Sequence, residues 1–182
     1  MKRALGLLEF NSIAAGIEIA DLAVKSSQIK LIQAQPVCPG KYVAMFDGDA
    51  ASVKSAVETA REQSKEFFVD SFILANVHPD VIPALTGATK IGEVKALGVI
   101  ETFSAASAIV AADLAAKTAQ IKLLEIRTAM GMGGKAVLTF AGDVASVEMS
   151  LEAAAKNVAD KGMLVKKTFI PSLHKDLQDK LL

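Results

Sequence analysis

A chain with one cysteine, Cys38, cannot form an internal disulfide, so these 182 residues must hold their fold by burial alone, and nothing demands secretion. Charge of either sign is not in excess: 20 basic residues stand against 20 acidic ones. That balance removes the electrostatic reason to expect nucleic acid or an anionic membrane as a partner, and it leaves little repulsion to oppose self-association. No apolar run approaches the roughly 20 residues a membrane helix needs. The opening MKRALGLLEF has two basic residues before an apolar stretch, but Glu9 ends that stretch too early for a signal peptide, and a similar string recurs internally as KALGVIE at 95–101. The expectation is a cytosolic protein.

What is abundant is apolar. Hydrophobic residues make up 52% and charged ones 22%, enough for one large core or two domains of about 90 residues, and too much for global disorder.

The chain is one unit written twice. ALGLLEFNSIAAGIEIADLAVKSSQIKL (4–31) lies over ALGVIETFSAASAIVAADLAAKTAQIKL (96–123) with about 16 of 28 positions identical and no gap. KYVAMFDGDAASV (41–53) lies over KAVLTFAGDVASV (135–147) with the offset grown by two, so the second copy has gained two residues between about 33 and 41 in the numbering of the first. His78 lies over His174 after a further gain of two. ALTGATKIGEVK (84–95) carries turn formers and joins the copies. The boundaries read as a first domain 1–88, a linker 89–95 and a second domain 96–182.

In the first copy RALGLL reads as a buried strand, and Ser12 offers an N-cap to a helix with Ile13, Ile17, Ala20 and Val24 on one face. Residues 29–35 and 41–46 form two strands joined by the PVCPG turn. Asp49 caps a second helix carrying Val53, Ala56, Val57 and Ala60; VDSFILA (69–75) is the last strand, and a short helical segment follows near Pro79 to Leu85. The second copy repeats the order with caps at Ser104 and Asp143 and with Val147, Leu151, Ala154 and Val158 along its second helix. The fold class is α+β: two tandem ferredoxin-like β-α-β-β-α-β units, each with its helices on one face of a mainly antiparallel sheet.

Each copy serves as the other's control. Asp21/Lys25 and Asp113/Lys117 occur in both and read as helix ion pairs with the acid first; Gly48-Asp49 and Gly142-Asp143 read as caps. The DGD at 47–49 lacks the further oxygen ligands of a calcium loop, and the second copy has Ala141 in place of Asp47. The copies part at the hairpin turn, where AQPVCPGK faces EIRTAMGMGGK; Gly131, Gly133 and Gly134 there permit positive φ and close backbone approach, without a phosphate-binding pattern. For Cys38 three readings stand: a small apolar residue, a nucleophile whose only candidate bases are His78 and His174, or one of three thiolates meeting on a threefold axis, nearly the four-cysteine demand of an iron–sulfur cubane.

ALGLLE, the helix ending ADLAVKSS, the turn ending GK and GDAASVKSAV together resemble the bacterial microcompartment shell domain in its unpermuted order, and the doubling resembles the tandem-domain (trimeric) shell proteins, of the propanediol-utilisation type. The likeness covers nearly the whole chain. It implies a non-enzymatic shell tile: a homotrimer forming a pseudohexamer that packs with other shell proteins and encloses redox enzymes, with no nucleic-acid or membrane partner. It implies that the two hairpin turns line a central pore, with Val37, Cys38, Pro39 and Gly40 in one and Met130, Gly131, Met132, Gly133 and Gly134 in the other. Cys38 is then the ligand of an iron–sulfur cluster, [4Fe-4S], one per trimer, for electron transfer across the shell, with N–H groups of the Pro39-Gly40-Lys41 stretch as a source of stabilisation. Lys25 and Lys117 become tile-edge contacts. Many such domains run from the last strand into Pro-Arg-Pro-His; NVHP and PSLHK here keep His78 and His174 and lack the arginine. A plain tandem tile with a metabolite pore is the alternative, and a two-domain effector sensor is a rival of another class.

Overall fold

The computed structural model describes residues 3–128 and 131–181. It divides into two compact units, Met1–Val77 and His78–Leu182. The first runs β1 (Arg3–Phe10), α1 (Ile13–Ser26), β2 (Ile29–Val37), β3 (Lys41–Asp49), α2 (Ala50–Gln63), β4 (Phe68–Ala75). The second holds α3 (Val81–Leu85), β5 (Ala96–Thr102), α4 (Ala105–Thr118), β6 (Ile121–Thr128), β7 (Ala136–Gly142), α5 (Val144–Ala159), β8 (Leu164–Ile170) and α6 (Lys175–Leu181).

Each unit has a four-stranded antiparallel sheet, ordered β2-β3-β1-β4 and β6-β7-β5-β8. This is the expected α+β arrangement. The caps fall where the sequence puts them: Ser12 Oγ accepts from Ala15 N, Ser104 Oγ from Ser107 N, and Asp49 and Asp143 close the starts of α2 and α5. Val53, Ala56, Val57 and Ala60 are all buried, as are Val147, Leu151, Ala154 and Val158.

One glycine in each sheet is a matter of space. Gly6 pairs with Phe46 across β1 and β3, and a Cβ there would stand 2.5 Å from the ring; Gly98 and Phe140 repeat this at 2.5 Å. The missing side chain is the seat of the phenylalanine, and both rings are fully buried.

One expectation needs correction. On α1 the residues that pack inward are Gly16, Ile19, Ala20 and Ala23, while Ile13, Ile17 and Val24 of the expected face are exposed. The helix is apolar on more than one side, so period alone does not choose a face; small residues choose it by close approach, a Cβ on Gly16 standing 2.6 Å from Tyr42. At the join, residues 78–95 group with the second compact unit. There α3 packs on β6 and α4, the His78 N–H donates to Asp113 Oδ1 at 2.7 Å, and Val94 N–H donates to Gln178 Oε1 at 3.4 Å.

Candidate functional site: the two hairpin turns

The hairpins share more than their alignment suggests. Both carry a register shift at the same repeat position, Leu31/Gln33 in β2 and Leu123/Glu125 in β6. Beyond it the pairs Pro36↔Tyr42 and Thr128↔Ala136 are equivalent. The two added residues of the second copy therefore lie in the turn itself, between Thr128 and Ala136, where the first copy has only residues 37–41.

The first turn is tight. Val37 is buried and pairs with Lys41, the Gly40 N–H donates to Val37 O at 3.0 Å, and Gly40 takes φ +85°, the left-handed region in which a side chain is strained. The Cys38–Pro39 peptide is cis. Cys38 is exposed, which sets aside its reading as a small core residue. The second turn is looser and built on glycine: Gly131, Gly133 and Gly134 have φ of +71°, +60° and +88°, and Lys135 N–H donates to Met132 O at 3.2 Å. Met130 lies outside the described residues.

The bases of the turns are fastened alike. Lys41 Nζ meets Glu9 Oε1 at 2.7 Å and Lys135 Nζ meets Glu101 Oε1 at 3.0 Å, so these lysines serve the fold in both copies. Around Cys38, Pro39 has no N–H and that of Gly40 is spent inside the turn. The stabilisation expected from the Pro39-Gly40-Lys41 stretch thus loses two of its three members.

Other candidates find local partners. Asp47 pairs with Arg3, and Asp49 accepts from the backbone and hydroxyl of Ser52, which lowers its pKa below the usual carboxylate value; both ends of the DGD string are engaged. His78 Nδ1 accepts from Asp80 N and His174 Nδ1 from Asp176 N, each at 3.3 Å, a turn repeated in both copies. The pairs Lys25–Asp21 and Lys117–Asp113 form as expected, each at 2.5 Å. Their surroundings differ: the Asp21 side chain is 59% exposed and that of Asp113 7%. Among the described residues no group of three or more His, Cys, Asp and Glu is placed to hold a metal ion. One chain therefore offers a thiol at a turn and no set of ligands around it. No helix among the described residues is long and apolar enough to cross a membrane.

What sequence reading missed is the exposed apolar edge of α1 and the docking of 78–95. The small residues Gly16, Ala20 and Ala23, at spacings of four and three, are the signal that could have turned α1 the right way.

The BMC domain profile matches twice, over residues 4–77 and 96–173. The bacterial microcompartment shell protein PduT of Citrobacter freundii is 37% identical over 177 residues, covering 97% of this chain and 96% of that protein. A carboxysome assembly protein, CcmO of Synechocystis, is 26% identical over 98% of this chain and 64% of its own length. The crystal structure of a microcompartment protein from Desulfitobacterium hafniense superposes with a TM-score of 0.95 at 51% identity, over 98% of this chain and 99% of that one. With the profile matched once in each unit, and relatives that span the full doubled length, this chain belongs to the bacterial microcompartment shell proteins that carry two BMC domains in tandem.

Proposed function

We propose that the chain is a non-enzymatic tile that forms a homotrimer, a pseudohexamer with six hairpin turns around a central pore, and that Cys38 of three copies binds one iron–sulfur cluster there. The observation that carries this reading is the position of Cys38: the only thiol of the chain, exposed, on the turn that is shorter by two residues than its counterpart. Among the described residues a single chain has no ligand set around this thiol, so a cluster draws on the thiols of several copies, and a threefold axis through the turn supplies three. The fourth iron then takes water or another ligand. Gly131, Met132, Gly133 and Gly134 border the same pore between the cysteine turns, and Lys25 and Lys117 contact neighbouring tiles, other shell proteins included.

When bound, such a cluster supplies one-electron redox chemistry, by which electrons pass between the two faces of the shell to enclosed redox enzymes. The protein's part is to hold three thiolates on a stiff support, and the Lys41–Glu9 pair and the buried Val37 fasten the turn that carries each one.

The test is anaerobic purification with native mass, iron and sulfide analysis, and EPR after reduction. A trimer with about one cubane per three chains is expected. Cys38→Ser should keep the trimer and lose all cluster signal. A trimer that stays iron-free after reconstitution sinks the cluster and leaves a plain tile whose pore passes metabolites; loss of the trimer in Cys38→Ser contradicts the placement of the turn.

A further inference from the structure

The duplication leaves one seat filled and its equivalent open. In the second unit the segment after β4 docks on α4 and β6: His78 N–H donates to Asp113 Oδ1, α3 lies on β6 and α4, and Val81 on α3 is fully buried. Ile109, one turn before Asp113 on α4, is 0% exposed. The first unit repeats the seat on α1 with the same residue types, Ile17 and Asp21, and there Ile17 is 53% exposed. The docking segment is repeated too. His174 lies at the position of His78, with Nδ1 accepting from Asp176 N as His78 Nδ1 does from Asp80 N. Leu177, at the position of Val81, is 47% exposed on α6.

We infer that the C-terminal segment 172–181 of one copy seats on α1 and β2 of a second copy, its His174 N–H donating to the Asp21 carboxylate of that copy and Leu177 covering its sheet edge. The occupant is a second copy because the chain already carries the matching pair once, in the same registry of histidine, carboxylate and apolar cover. An exposed seat at one end of the chain and an exposed segment at the other make a head-to-tail contact, which closes a ring or runs on as a filament. In the filled seat Lys117 keeps 36% of its side-chain surface, so seating leaves the corresponding lysine available at the outer edge. The inference rests on the trimer reading and adds to it the residues that join the copies.

Two variants of the full chain test it. Leu177→Asp, at an exposed position, should lose the oligomer seen for the unaltered chain by native mass, with the far-UV spectrum and the fluorescence of the lone tyrosine, Tyr42, unchanged. Asp21→Cys/His174→Cys in a Cys38→Ser chain should give linked dimers and trimers on oxidation, and neither single cysteine should. An unaltered chain that runs as a monomer overturns the tile reading itself. An oligomer that survives Leu177→Asp and stays unlinked in the paired variant overturns this seat and leaves the tile standing.

Discussion

The helices α1 and α4 descend from one sequence and now face different surroundings. Ile17 and Ile109 sit at the same repeat position after the same serine cap, and one is open while the other is sealed. The inward packing is shared: Ala20 and Ala112, Ala23 and Ala115 are buried in both. The difference lies on the outward flank, and under the contact inferred above an apolar residue kept at a surface position is an interface residue whose partner is present for only one of the two copies.

The sharpest way to test that comparison is to shorten both isoleucines. Ile109→Ala should cost roughly 2–5 kcal/mol in urea unfolding followed by far-UV circular dichroism, at any protein concentration, because a fully buried side chain leaves a cavity. Ile17→Ala should cost under about 1 kcal/mol at high dilution, with a larger cost only at concentrations where copies associate. Equal, concentration-independent costs would mean that Ile17 packs within its own unit.

A second contrast is internal to the cores. Gly16 lies under Tyr42, whereas the second copy has Ala108 and Ala136 at these positions, both buried. One copy places the volume on the strand and the other shares it between helix and strand. Gly16→Ala should therefore destabilise by about 1–3 kcal/mol through overpacking, and the penalty should vanish in a Tyr42→Ala background. There the added methyl occupies vacated space and improves helix propensity. Additive costs in this cycle would refute the account of the close approach.

A smaller effect separates the two ion pairs. Lys117→Ala leaves a largely buried carboxylate, and should cost roughly 1 kcal/mol; Lys25→Ala breaks an exposed pair and should cost no more than about 0.5 kcal/mol. The same unfolding experiment checks both. Reversal of the order would show that Asp113 is held by the His78 N–H alone.

Much of this was legible before any coordinates. Val53, Ala56, Val57 and Ala60 give an unambiguous face because the rest of α2 is polar, and Ser12 and Asp49 announce helix starts by chemistry that acts over three residues. The α1 face was not legible, since IAAGIEIADLAV is apolar on more than one side and the choice depends on Tyr42, a distant residue in sequence. The docking of the join was hidden for a related reason. Turn formers in 84–95 mark where the chain bends, while the packing partners of α3, namely α4 and β6, lie roughly thirty to forty residues on. At the turns the sequence showed that the copies diverge and where the thiol sits, but the donation of the Gly40 N–H to Val37 depends on backbone geometry that no residue pattern specifies.

The smallest predicted effect concerns the caps, where the copies agree. Asp49 and Asp143 both have pKa values lowered from 3.8, first by the hydroxyl of the serine three residues on, Ser52 or Ser146, and next by that serine's backbone N–H. A carboxyl whose folded pKa lies below its unfolded value contributes stability that is fully present above about pH 4 and is lost as pH falls through the folded pKa. Ser52→Ala and Ser146→Ala remove the largest cause of the lowering. Each variant should therefore be slightly less stable than the unaltered chain at neutral pH, with the difference shrinking below about pH 4 as the cap protonates in both. Thermal unfolding across pH 2 to 7 reads this out, and a difference that persists undiminished at the acid end would mean the serines act by packing instead of through the carboxylate. Because the two caps have the same partners, the two variants should converge with their parent over the same pH range. A separation between them would show that the outward flank, where the copies differ, reaches as far as the start of the second helix.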